Sequence, residues 1–463
     1  MNKEVKTRKQ LIILGNGFDL SCGLKSTYND FFEWRLKSLF KTNNVDNIIN
    51  QLEKAHMNNV IDGARTTVAS KLKNRETNTI SNRLSKTLIN YNSLADRKEI
   101  QNEDKLPYFY DIEVTFKGIT RWDIFFIYAK KYLQDDETNE WQDIERIIDN
   151  VLAVALHDKE DDNQFFNPRT YQFSMNLHFK GEEGKEQFKK IIYKYAWYDF
   201  KHVGVESRAH TLLIQLLDFE KAFSQYIYSQ MGVSISGNFE SPYFKRAESL
   251  LREITDDSLE EEPELNVWSF NYTLGPRFQK KLNDEQWNIP IWNNIHGLAC
   301  YDDPSASWIA RNNGKIPAPI FGIDPEDNLS LRGYEAPARV IFTKPYRIIN
   351  NKFNSIRQEI KFNDYNKIIV YGHSLGEADY SYFKYIFDET RIYTGPVKLI
   401  FYYWPGLCES NPVEKQLNER KYTEVIVKIL NLYGKDSSLA REDIVTKLAI
   451  EGRLTILPNP EID

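Results

Sequence analysis

Residues 11–24 read LIILGNGFDLSCGL, and the fold turns on them. Leu11-Ile12-Ile13-Leu14 is a short, continuous apolar run, the pattern of a strand buried on both faces. Gly15-Asn16-Gly17 ends it at once. Thr27, followed three residues later by Asp30, reads as a capping box opening a helix that carries Phe31, Phe32 and Trp34. A strand, a glycine turn and a helix, in that order, begin open α/β sheets. Working outward, the next strand patterns come only much later, over 265–270, 290–295, 318–323, 367–371, 397–404 and 453–457. Several are unbroken apolar runs, as a mostly parallel sheet requires.

Between the first strand and the second the pattern is helical. Trp141, Ile144, Ile147, Ile148, Val151 and Ala155 recur at helical spacing, and Leu212, Leu213, Leu216, Leu217, Phe219, Phe223, Tyr226 and Ile227 form a second stripe. Polar stretches over 92–104 and 158–163 read as loops. The basic cluster over 71–75 reads as a solvated helix face. The acidic, proline-ended stretch over 255–263 reads as a return linker. The expected organisation is a split α/β core, residues 1–40 and 262–463, interrupted by a mainly helical insertion over 41–261.

The 463 residues carry 60 Lys and Arg against 66 Asp and Glu, a net charge of −6. That balance argues against non-specific nucleic-acid binding, which needs a basic face. Hydrophobic residues at 41% and charged residues at 27% fit a soluble globular chain. No apolar run approaches the roughly 18 residues of a membrane span, and the run at 11–14 is too short for a secretory segment. Cys22, Cys300 and Cys408 are odd in number and form no C-x-x-C. Neither a disulfide framework nor a cysteine zinc site is expected, and a cytoplasmic setting is. Aromatic residues reach 14%. Most fall on helical stripes or in strands and read as core, which leaves Phe18 and Tyr272 as the rings placed to touch a nucleotide.

Three places carry candidate chemistry. Glycines at the Gly15–Gly17 turn would let the backbone approach a pyrophosphate at a helix N-terminus. The turn departs from G-x-G-x-x-G at Leu20, and a tight turn with no ligand is the competing reading. Gly372-His373-Ser374-Leu375-Gly376 matches the G-x-S-x-G nucleophile elbow, but no histidine follows Ser374, so the usual triad order cannot be built. A small-residue turn lining a nucleotide site, or a plain solvent-facing loop, are the alternatives. Asn271 and His296 each close a strand, so in a parallel sheet both lie on the ligand-binding edge. An amide can orient a water or a ribose hydroxyl, and a histidine can take its proton. Each could equally serve only its turn.

The order LIILGNGFDLSCGL, NEWQDIE, WSFNYT, NIHG, IFGID and IIVYGHSLGEADYSYF resembles the bacteriophage abortive infection AbiH family. The same landmarks resemble a sirtuin NAD-binding core. Gly15, Gly17, Gly23 and Leu24 match the offsets of the sirtuin first loop, Asn271 the asparagine of T-Q-N-x-D, His296-Gly297 the catalytic histidine and its glycine, and Gly372–Leu375 the late G-T-S-L loop. Asp19 stands where sirtuins have serine and Thr273 where they have the motif's aspartate. The paired C-x-x-C ribbon is absent, which speaks against protein deacylation.

The resemblance implies a sirtuin-like, Rossmann-like core and an anti-phage defence protein that binds NAD and hydrolyses its nicotinamide–ribose bond when triggered. Asn271 and His296 would be catalytic. Gly15, Asn16, Gly17, Phe18, Asp19, Gly23, Gly372, His373 and Ser374 would hold the nucleotide, and no metal is predicted. The expected partners are a small-molecule nucleotide and a phage or host protein trigger, with no membrane or nucleic acid; homo-oligomers are compatible with this. Two alternatives stay open. One is a non-catalytic nucleotide sensor whose insertion binds a partner; the other is a serine hydrolase using Ser374.

Overall fold

Six strands form one sheet in the order β3-β2-β1-β4-β5-β6, with every neighbouring pair parallel, in a computed structural model of the chain. They are β1 (Lys9–Leu14), β2 (Glu264–Ser269), β3 (Ile291–Asn294), β4 (Lys367–Tyr371), β5 (Lys398–Tyr403) and β6 (Leu454–Pro458). The structure describes residues 8–61, 106–134, 141–156, 177–200, 203–232, 239–255, 263–299, 319–323, 335–350, 361–376, 379–406, 412–436 and 443–461. The expected loops over 92–104 and 158–163, the basic cluster over 71–75, nearly all of the acidic linker, and Cys300 and Cys408 lie outside the described residues.

The strand order is that of the doubly wound Rossmann sheet, in which the connection reverses direction between β1 and β4 and leaves a crevice at their carboxyl ends. Leu11, Ile12, Ile13 and Leu14 are at most 1% exposed, which is why this strand reads as an unbroken apolar run. One face packs on the helices Tyr380–Glu389, Pro412–Asp436 and Ile444–Ile450 through Ile13, Ile368, Val370, Phe383, Ile426 and Leu448.

Of the strand expected over 318–323, the described residues 319–323 form none and contribute a single bridge, Ile323 to Thr343. Pro319 has no N–H to give a ladder, which favours an irregular connection over a central strand.

The chain divides into two compact units. The first comprises residues 1–27, 223–320 and 347–463 and contains the sheet. The second comprises 28–222 and 321–346 and is mainly helical. These divisions fall at other residues than 40 and 261. The helix Val205–Met231 runs through the division at 222, and the helix Pro242–Thr255 belongs to the sheet unit.

Within the helical unit the helix Trp141–Ala155 buries Ile144, Ile147, Ile148, Val151 and Ala155, as its spacing predicts. Leu212, Leu216 and Phe219 are buried likewise, whereas Leu217 turns outward. Rings dominate this core. Phe219 stacks on Phe126 at 5.2 Å and meets Phe31 edge-on at 5.4 Å. Arg35 grips Asp123 through two parallel hydrogen bonds of 2.8 and 2.9 Å, and Asp123 also closes a capping box with Thr120.

Candidate functional site at the sheet's carboxyl edge

The Gly15 turn and the Gly372 turn leave adjacent strands, β1 and β4, and meet at the reversal point. They pack backbone on backbone. The Gly15 amide donates to Tyr371 O at 2.9 Å and the Gly17 amide to Gly372 O at 2.8 Å. A Cβ on Gly15 would lie 2.5 Å from Gly372 O, and one on Gly17 2.6 Å from Gly372 Cα. Gly372 itself has φ +66°, and a Cβ there would lie 2.3 Å from the Phe18 nitrogen. These glycines therefore answer to each other, and the amides of Gly15 and Gly17 are occupied by protein carbonyls. Asn16 accepts from Ser26 Oγ at 2.6 Å, which fixes its side chain within the turn.

Asn271 follows β2 and reaches across to this turn, its Nδ2 donating to Gly15 O at 2.9 Å. Beside it lies Asp19, from the short helix Asn16–Ser21. The carboxylate accepts from Tyr243 Oη at 2.7 Å and lies 3.0 Å through each oxygen from Thr273 Oγ1. Burial pushes the Asp19 carboxyl up to about 7, against the opposing pull of hydrogen bonds from Tyr243, Thr273 and Asn271. Asp19 and Thr273, from two different segments, are thus bonded to each other.

The second half of the site is built on Phe270. Its ring meets His296 edge-on at 5.3 Å and His373 at 4.5 Å. The His373 Nδ1 accepts from the Leu375 amide at 2.9 Å, so in the neutral ring the proton sits on Nε2. That Nε2 faces Asp379 Oδ2 at 3.6 Å, and the His296 Nε2 faces Asp379 Oδ1 at 3.9 Å. Asp379 holds the N-cap position of the helix Tyr380–Glu389 but makes no side-chain cap. An aspartate there ordinarily accepts from the first turn's amides; here its carboxylate lies beside two imidazoles.

The structure thus brings Gly15, Gly17, Asp19, Asn271, His296, Gly372 and His373 to one edge of the sheet unit. Asp19, Asn271, His296 and His373 are 2%, 5%, 5% and 4% exposed, so the polar groups are covered. Other expected residues point elsewhere. The Phe18 ring is fully buried edge-on to Tyr371 at 5.7 Å, a core contact. Tyr272 packs on Phe223 and donates to Ile320 O at 3.2 Å. Gly23 turns the chain after its helix at φ +81°, against the Arg246 guanidinium. Ser374 is exposed and outside the left-handed region that Gly372 and Leu375 occupy on either side of it. A nucleophile elbow places its strain on the serine itself, and both nitrogens of the neighbouring His373 are directed elsewhere.

Sequence reasoning did not single out Asp379, Tyr243 or Thr273 as part of the site. Asp379 was visible only as an acid just ahead of an aromatic-rich helix. Tyr243 lies 224 residues from Asp19, and no local pattern signals that pairing.

A family model described as bacteriophage abortive infection AbiH matches residues 11–403. No curated protein and no solved structure matches the chain.

Proposed function

The chain belongs to the bacteriophage abortive infection AbiH family, and from that premise we propose that it serves anti-phage defence by hydrolysing NAD at the nicotinamide–ribose bond when triggered. The observation that carries this reading is the meeting of Asn271 and the Phe270–His296 pair with the Gly15 turn at the sheet's reversal point, where nucleotides bind in such sheets.

In the reaction the C1′–N bond opens and its electron pair passes to the nicotinamide ring, which leaves neutral. The ribose carbon becomes oxocarbenium-like. Asn271, its Nδ2 anchored on Gly15 O, directs its carbonyl oxygen to a ribose hydroxyl or to the attacking water. His296 takes the proton that this water releases as the new C1′–O bond forms. Covered side chains suit an effector held closed until a trigger opens the site.

The test is nicotinamide release from NAD by purified protein, with and without phage components. Asn271→Ala and His296→Ala should each remove activity, by about 10²- to 10⁴-fold. Activity that survives both substitutions sinks the assignment.

One observation favours a second reading, a sensor that binds nucleotide without turnover: Asn271 and His296, the side chains assigned to the chemistry, are buried. NAD-dependent thermal stabilisation without nicotinamide release, under triggered conditions too, distinguishes it. Labelling of Ser374 by a fluorophosphonate would revive the serine-hydrolase alternative.

A further inference from the structure

Asp379 stands at the N-cap position of the helix Tyr380–Glu389, where an aspartate usually accepts from the first turn's amides. Its side chain makes no such cap. Its two oxygens are turned to two rings instead: Oδ2 lies 3.6 Å from His373 Nε2, and Oδ1 lies 3.9 Å from His296 Nε2. The histidine side chains are 3% and 6% exposed and that of the aspartate 18%, so little water screens the three groups from one another.

The protons of this group follow link by link. The Leu375 amide can only donate, so His373 Nδ1, 2.9 Å away, accepts. The neutral His373 ring then carries its proton on Nε2, toward Asp379. Phe270 and Phe383 meet this ring edge-on at 4.5 and 5.0 Å, and Tyr422 Oη donates to His373 O at 3.0 Å, so ring and backbone are both held. An ionised carboxylate has no proton to give. A lone pair on His296 Nε2 would face its negative charge, whereas an N–H there is attracted to it.

The geometry points to Asp379 as a positioning residue, set by His373, that keeps the His296 proton on Nε2 and so makes Nδ1 the basic nitrogen. The inference rests on the reading of His296 as the base and adds which atom acts. In that reaction His296 Nδ1 takes the proton of the attacking water as the water oxygen bonds C1′. The imidazolium so formed stands 3.9 Å from the Asp379 carboxylate, whose opposite charge stabilises it. The other titratable groups beside His296 are His373, across the shared carboxylate, and Tyr382, ring to ring at 5.6 Å. Neither is an anion near neutral pH, so the choice of tautomer falls to Asp379.

The deciding measurement is the set of ring-nitrogen NMR resonances of His296 and His373 in histidine-labelled full-length protein, assigned through His296→Gln and His373→Gln. It is made at about pH 9, where an ordinary imidazole is neutral. Protonated and unprotonated ring nitrogens resonate far apart, so the tautomer is read directly. Wild-type His296 should carry its proton on Nε2. Asp379→Asn replaces two acceptors by one acceptor and one donor. His373, still fixed by Leu375, takes the oxygen, which leaves the NH2 for His296. His296 should then switch to the Nδ1–H tautomer while His373 keeps its own. A wild-type His296 with its proton on Nδ1 overturns the proposal before any variant is made, as does a folded Asp379→Asn in which His296 keeps Nε2–H. In triggered protein that releases nicotinamide, Asp379→Asn should lower kcat by about 10²- to 10⁴-fold with KM little changed; an unchanged kcat would also overturn it. The tautomer is read without turnover, so a protein that never cleaves NAD refutes the proposed function while these resonances still decide the role of Asp379.

Discussion

Two buried aspartates, one in each unit, are held in opposite ways. Asp123 in the helical unit meets the Arg35 guanidinium in a two-point ion pair and closes a helix cap with Thr120. Asp19 in the sheet unit is buried nearly as fully but is bonded to two hydroxyls, those of Tyr243 and Thr273. The first arrangement neutralises the charge and fixes a helix start, which is what a structural acid does. The second leaves the charge to neutral donors, so burial raises the carboxyl to about 7 and the group titrates where cells live. An acid kept at that expense, beside the residues assigned to the reaction, is a candidate for function rather than for stability.

That contrast can be broken most forcefully at Arg35. Arg35→Ala leaves Asp123 buried without its cation and should cost about 3–5 kcal/mol in urea unfolding. A loss below 1 kcal/mol would remove the structural side of the comparison.

Asp19→Asn should behave in the opposite sense, with a pH dependence. The unfolded carboxyl releases its proton near about 4, and the folded one at about 7. Between these values the folded chain holds a proton that the unfolded chain has lost, so stability falls as pH rises from about 4 to about 7 and stays low above. Asp19→Asn abolishes that slope. Its effect at pH 8 should be more favourable than its effect at pH 4 by on the order of 4 kcal/mol. Parallel unfolding curves for the two proteins at both pH values would contradict this.

Tyr243→Phe removes one buried donor and should destabilise by about 1–2 kcal/mol, more at pH 8 than at pH 5, because the ionised acceptor loses most. The smallest effect belongs to Leu217, which sequence spacing assigns to the apolar stripe but which is 42% exposed. Leu217→Gln should change stability by less than about 0.5 kcal/mol.

Leu217 also marks how far the sequence could be read. The strands were legible because burial on both faces writes itself as unbroken apolar runs, as over 11–14 and 367–371. The stretch over 318–323 looked similar, but Pro319 takes a donor out of any ladder, and only Ile323 makes a bridge. The edges of the units were not legible, since the helix Val205–Met231 crosses one of them without a break in its apolar stripe. At the site, Asn271 and His296 could be placed because each ends a strand. Phe18 stands among the motif glycines yet is a core ring against Tyr371. The glycines of the two turns were read as room for a pyrophosphate, whereas the contacts they make are with each other. The partners of Asp19 and the position of Asp379 between two imidazoles depend on tertiary packing that no local pattern records.

The claim that NAD is cleaved at this edge is tested most directly by nicotinamide release from triggered wild-type protein, with Asn271→Ala and His296→Ala measured beside it. The account predicts release by the wild type and its loss in both variants. Release that persists in both, or none from a triggered wild type that binds NAD, would contradict it.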